Sequence, residues 1–204
     1  PFPNAPFCKK PLASKEVYLK LHKEAVSNRN KLIEEYEKDC GYSIPEEYIN
    51  NLALYTQICI KKSKLNFQHG KLLYSTLSKY INDKKSTYSN EKDPIIVFET
   101  GTARGFSSIC MSKALIDNNV NGFITTIDCL SHNQRFFWNS INDCDGPKTR
   151  EENLSLWEKE LSRIVFIQGW TELINNIGLT RINFAFLDAQ HTKGDVMFEF
   201  EYVS

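Results

Sequence analysis

The sequence predicts an α/β protein, a doubly wound parallel sheet preceded by an N-terminal helical cap. Three observations carry that expectation. After Pro94, short apolar runs alternate with helical patterns, the rhythm of strand–helix–strand units. Before Asn82 the apolar residues recur only at helical spacing. Polar residues and glycines gather just after the strand-like runs, at Glu99–Gly105, Asp128–Leu130, Gln168–Trp170 and Asp188–His191. In a parallel sheet of this kind, ligands bind beyond the carboxyl ends of the strands.

Each element follows from its residues. The opening Pro-Phe-Pro-Asn-Ala-Pro lacks a charged-then-apolar leader design and reads as an irregular arm. Ser14 can cap a helix running to about Cys40, with Val17, Leu21, Ala25, Leu32 and Tyr36 along one stripe and Gly41 as its stop. His22 on that helix reads as solvated. Pro45 suits the first turn of a second helix carrying Ile49, Leu52, Ala53, Thr56 and Ile60. A third helix spans about 67–82, with Leu72, Leu73, Leu77 and Tyr80 facing in. His69-Gly70-Lys71 is its starting turn. The polar stretch from Asn82 to Pro94 is a linker. It divides a cap, residues 1–92, from a sheet domain, residues 93–204.

In the second part, strand one covers about 95–99 and a helix follows over about 105–118. Strand two runs from Phe123 to Asp128. The segment 130–163 holds an aromatic run, Phe136 to Trp138, which reads as core. A polar loop at 142–152 and a short helix with Leu154 and Trp157 complete it. Asp143-Cys-Asp145-Gly reads as a turn, because the later ligands of a calcium loop do not follow it. Strand three is Ile164–Ile167, with turn and helix over Gly169–Ile177. Strand four is Ile182–Leu187, and a last helix begins near Lys193. Glu199 and Glu201 read as its solvated side.

Composition narrows the function classes. Hydrophobic residues make up 41% and charged residues 25%, as in ordinary soluble domains, so a cytoplasmic protein is expected. No apolar run is long enough for a bilayer, and no membrane partner is expected. Residues 1–92 hold 16 Lys/Arg and 10 Asp/Glu, a balance of +6, and residues 93–204 hold 9 and 15, a balance of −6. Neither part has the dense basic stripe of a nucleic-acid binder. The six cysteines form no Cys-x-x-Cys pair and read as free thiols.

The residues with chemistry follow strand one. Ile-Ile-Val-Phe-Glu-Thr-Gly-Thr-Ala-Arg-Gly (95–105) is a buried strand, a glycine turn and a helix N-terminus. Such a turn brings bare backbone close to a nucleotide-like ligand. The spacing is Glu-x-Gly-x-x-x-Gly, not the Gly-x-Gly-x-x-Gly of dinucleotide binders. An acid at the strand end suits a cationic ligand part and would repel a pyrophosphate. Asp128 ends strand two, placed to accept hydrogen bonds from two ribose hydroxyls.

Three stretches resemble the class I S-adenosylmethionine-dependent methyltransferases. Phe-Glu-Thr-Gly-Thr-Ala-Arg-Gly-Phe-Ser-Ser (98–108) is similar to that family's first motif and Thr-Thr-Ile-Asp (125–128) to its second. Phe-Leu-Asp-Ala-Gln-His-Thr-Lys-Gly-Asp-Val (186–196) resembles the Asp-x-x-His motif of small-molecule O-methyltransferases of the macrolide-sugar and aminocoumarin type. The resemblance implies a Rossmann-like fold and S-adenosylmethionine as cofactor. It places Glu99, Gly101 and Gly105 at the methionine end and makes Thr102, Ala103 and Ser107 cofactor-binding as well. Asp128 falls at the ribose, Gln168, Gly169 and Trp170 near the adenine, and Cys129 also at the cofactor. It makes Asp188 and His191 the catalytic candidates, Asp188 as base or as ligand of a divalent cation such as Mg. The chain stops before strand five, so the domain is expected to be incomplete at its C-terminus and metal dependence stays open. The expected partner is a small-molecule acceptor, with a homodimer favoured by an open sheet edge. Two other readings remain: a non-catalytic methyltransferase-like binding module, and a nicotinamide-dependent oxidoreductase.

Overall fold

The structure, a computed structural model, describes residues 9–87, 93–179, 181–190 and 192–204. Cys8, His191 and residues 88–92 of the expected linker lie outside them. Four helices come first: α1 (Lys15–Val26), α2 (Lys31–Cys40), α3 (Glu46–Thr56) and α4 (His69–Thr87). Then β1 (Ile95–Thr100), α5 (Phe106–Asp117) and β2 (Gly122–Asp128) follow. The short helices α6 (Arg150–Asn153) and α7 (Glu158–Leu161) precede β3 (Ile164–Gln168), β4 (Phe184–Leu187) and α8 (Lys193–Val203). The strands form one parallel sheet in the order β3-β2-β1-β4. The chain moves outward from β1 to β3 and then returns to the other side of β1. That reversal makes β1 the switch point, and the crevice at its carboxyl end is where such sheets bind ligands.

Alternation along the strands separates two cores. Val97 and Ile124 face a large core shared with Leu77, Ile109 and Leu115. Phe98 and Ile127 face the other side, against Ile174, Phe198 and Tyr202. The same period of two sends Glu99 to the α5 side and Thr100 to the α8 side. The large core does not stop at the linker: Tyr18, Ala25, Ile49, Leu52 and Ile58 belong to it. Among the described residues no helix is long and apolar enough to cross a membrane.

Several local expectations are corrected. The single helix from Ser14 to Cys40 is two helices. Ser27-Asn28-Arg29-Asn30 interrupts it, and the Asn30 side chain accepts from the Leu32 amide at 3.1 Å, capping α2. Ala25 is buried as expected, but the rest of the stripe is not. Tyr18 and Ala25 are buried, whereas Val17 and Leu32 are exposed. His22 is not solvated: its Nε2 lies 2.8 Å from the Asn50 carbonyl. In α4, Leu72 points outward and its neighbour Lys71 is buried, paired with the buried Glu37 and with Glu46, whose side chain is exposed. A buried ammonium survives there because two carboxylates from α2 and α3 meet it. Ile60 lies beyond the end of α3 and is partly exposed. The start of the expected linker is helical as far as Thr87.

Glu199 is the largest correction. It sits on the inner side of α8, fully buried, and accepts from the Thr100 hydroxyl at 3.0 Å. Glu201 is exposed, as expected, and the apolar Val196, Met197 and Phe200 are exposed with it, so polar and apolar residues share the outer face of α8.

The reassigned face of α4 has a measurable consequence. Leu77→Ala removes a fully buried side chain and is expected to cost about 2–5 kcal/mol in denaturant unfolding. Leu72→Ala, at an exposed position, should stay within about 0.5 kcal/mol of the parent. Equal losses at both positions would put the helix in the other register.

Candidate active site

The carboxyl ends of β1, β2, β3 and β4 bring together most of the residues singled out from the sequence. Gly101 leaves β1 with φ 83° and Gly105 enters α5 with φ 84°. Both lie in the left-handed region that favours glycine. At Gly101 space is also decisive, because a Cβ there would stand 2.2 Å from the Asp188 carbonyl oxygen. The missing side chain lets the end of β4 close on the end of β1. Backbone bonds lock the junction: Gly101 donates to Ile127 at 2.9 Å and Asp188 to Thr100 at 3.1 Å.

Ala103, between the two glycines, is held at φ 45°. Its amide donates to Asp128 Oδ2 at 2.6 Å, and the amide of Leu130 donates to Asp128 Oδ1 at 2.7 Å. Asp128 is 8% exposed. One carboxylate thus fastens the turn after β1 to the turn after β2. Thr102 is buried and its hydroxyl shares a 2.6 Å hydrogen bond with that of Thr126.

Glu99 is fully buried, and the hydroxyls of Ser107 and Ser108 each donate to one of its oxygens. Burial pushes its pKa up, the serine and Thr126 hydroxyls pull it down, and the nearby charge of Asp188 pushes it up again. The net direction is upward.

The other predicted residues sit around this core. Cys129 is half-buried beside Asp128, and burial followed by that carboxylate raises its thiol pKa. The amide of Gly169 donates to the Asp128 carbonyl at 2.9 Å, which brings the end of β3 to the same edge. Gln168 is exposed, and Trp170 leaves 45% of its surface open. Asp188 is exposed at the end of β4. His191 lies outside the described residues. Among those described, no group of three or more His, Cys, Asp and Glu is placed to hold a metal ion.

Sequence reasoning missed Arg150, which is 1% exposed at the start of α6. Its Nε donates to the Ala103 carbonyl at 2.8 Å, its Nη1 meets His132 Nδ1, and its Nη2 lies 3.7 Å from Asp128 Oδ1. The rings of Trp138 and Phe166 stand 5.7 Å from the guanidinium carbon. Burial, and then the charge of Arg150, lowers the His132 pKa to about 4, so its imidazole is neutral near pH 7. The Thr149-x-x-Glu152 capping box that starts α6 was legible as a helix signal. Nothing in it announces that the next residue, an arginine, turns inward.

A profile of the family described as methyltransferase domain matches residues 98–204, just over half of the chain. The chain belongs to that family. The match begins at Phe98 and takes in the turn, Asp128 and Asp188. No curated protein matches the chain. Among solved structures, SAH-bound methyltransferase PaMTH1 from Podospora anserina aligns over 93% of this chain and 66% of its own length, at 15% identity and a TM-score of 0.44. The chain therefore spans just under two thirds of that protein.

The Glu99 environment sets a direction for pH dependence. Folding favours its protonated form, so its contribution is fully present below the ordinary carboxyl value of 4.5 and is lost as pH rises through the higher folded value. Glu99→Gln removes that loss while keeping one acceptor and one donor for the serines. The variant is expected to gain stability over the parent as pH rises above about 4.5, and to melt roughly 2–4 °C higher at neutral pH for each kcal/mol relieved. Thermal unfolding across pH 4–8 checks it. A lower melting point at neutral pH would show that the two charge-assisted hydroxyl bonds outweigh burial.

Proposed function

We propose that this chain is the cofactor-binding part of an S-adenosylmethionine-dependent methyltransferase acting on a hydroxyl oxygen of a small molecule. The observation that carries the reading is the clamp between the two turns, with the Ala103 amide on the carboxylate of Asp128 at 2.6 Å. Membership of the methyltransferase domain family supports it.

The donor set suits that cofactor. Each Asp128 oxygen accepts one backbone amide and keeps a second lone pair, which suits ribose hydroxyls. Glu99, held by hydroxyls, suits a cationic amine, whose charge would offset the cost of burying the carboxylate. Trp170, 45% exposed beside Gly169, suits a flat base. Gly101, Thr102 and Gly105 shape the turn that these groups flank, and Cys129 and Gln168 border it. When bound, S-adenosylmethionine supplies a methyl group on a positively charged sulfur.

The chain's own part in the reaction is alignment and proton removal. Asp188 is assigned the second task. Its backbone amide is fixed on the Thr100 carbonyl and hydroxyl, and its position is exposed to an incoming acceptor. The described residues around it do not form a ligand set for a divalent cation.

Titration calorimetry with S-adenosylhomocysteine tests the reading. The parent should bind in the micromolar range, Asp128→Ala should weaken that binding, and Asp188→Ala should keep it. The loss at Asp128 is expected to be about tenfold or more, the weight of a charge-assisted hydrogen bond. Absence of binding by the parent, or binding of NADH in its place, would overturn the assignment.

A further inference from the structure

We infer that Arg150 is a positioning residue for the nucleotide site: it holds the Ala103 turn and the Asp128 carboxylate in register and ties both to the 130–163 segment. The inference rests on the cofactor reading for the ligand, but its geometry stands without it.

Ala103 occupies a backbone region that L-residues rarely adopt, at φ 45°. Such a conformation persists only where the surroundings over-determine it. Both of its peptide groups are pinned. The amide is bound to Asp128 at 2.6 Å, and the carbonyl accepts from Arg150 Nε at 2.8 Å. The triangle closes through the 3.7 Å approach of Arg150 Nη2 to Asp128 Oδ1. That Nη2 is buried and makes no hydrogen bond, so it acts on the carboxylate by charge alone.

The guanidinium is held from behind. His132 takes Nη1, and the faces of Trp138 and Phe166 flank the carbon. Its neutral imidazole accepts the N–H, whereas a protonated ring would repel it. A second guanidinium repeats the connection, since Arg104 Nε donates to the Trp138 carbonyl at 2.6 Å. The turn after β1 is therefore fastened at two points to a segment that carries no recognisable motif. Arg150 touches the turn and the acid, and acts on a ligand through them.

Arg150→Met removes the donors and keeps the bulk. In the ligand-free protein, hydrogen exchange at the Ala103 and Leu130 amides should speed up about tenfold or more, while amides of the β2–β3 ladder such as Ile124, which donates to the Arg163 carbonyl, keep their protection. Affinity for S-adenosylhomocysteine should fall about tenfold to hundredfold, and Asp128→Ala with Arg150→Met should bind no worse than Asp128→Ala alone. Arg150→Lys keeps the charge without the fork. It should show the same selective exchange change and supplies the test if the methionine variant does not fold.

Unchanged Ala103 exchange in these variants, or loosening of the ladder together with it, would overturn the positioning role. So would parental ligand affinity in Arg150→Met. A parent that fails to bind S-adenosylhomocysteine while the variants show selective Ala103 exchange would overturn the cofactor reading and leave the holding of the turn established.

Discussion

The carboxylate of Asp128 is the constraint on which the rest of the site depends. It is nearly buried at the end of a parallel strand, where backbone donors have no partners in the sheet. Two of those donors, from Ala103 and Leu130, find it. The bond to Ala103 fixes a left-handed residue between two glycines and so sets the path from β1 into α5. The carbonyl of Asp128 then takes the amide of Gly169 and brings the end of β3 to the same edge. Three strand ends are thus gathered by one residue. The ion pair with Arg150 extends the arrangement into the segment that covers the sheet.

The two neighbouring acids on β1 and α8 show how strand alternation sorts charge. Glu99 faces the α5 side and finds serine hydroxyls, while Thr100 faces the other side and finds Glu199. Hydroxyls satisfy the geometry of a buried carboxylate without cancelling its charge.

Much of this was legible in the sequence, and the reasons for success and failure are physical. The four strands were readable because each is a short apolar run closed by a polar residue, and the structure keeps those limits within about two residues. The turn was readable because Gly101 and Gly105 both need positive φ. The cap was harder. Ser27-Asn28-Arg29-Asn30 competes with the helix through its own side chains, and the periodicity continued across it by chance. Arg150 and Glu199 were invisible for a different reason. Burial of a charged group is decided by partners far along the chain, Ala103 and Asp128 in one case and Thr100 in the other. Local patterns carry no trace of such partners.

The place of β4 in the sheet bears on how the protein is made. β1 pairs on one side with β2, which follows within 30 residues, and on the other with β4, which begins at Phe184. Synthesis runs from the N-terminus, so the helices, β1, β2 and β3 leave the ribosome before β1 has its second neighbour. During that interval the outer edge of β1 carries unpaired backbone groups, and Gly101 has no carbonyl against it. The nascent chain therefore passes through a stage in which a three-stranded sheet with β1 as its open edge must be kept from other chains. Closure of the site and closure of that edge are the same event, made when the end of β4 reaches Thr100.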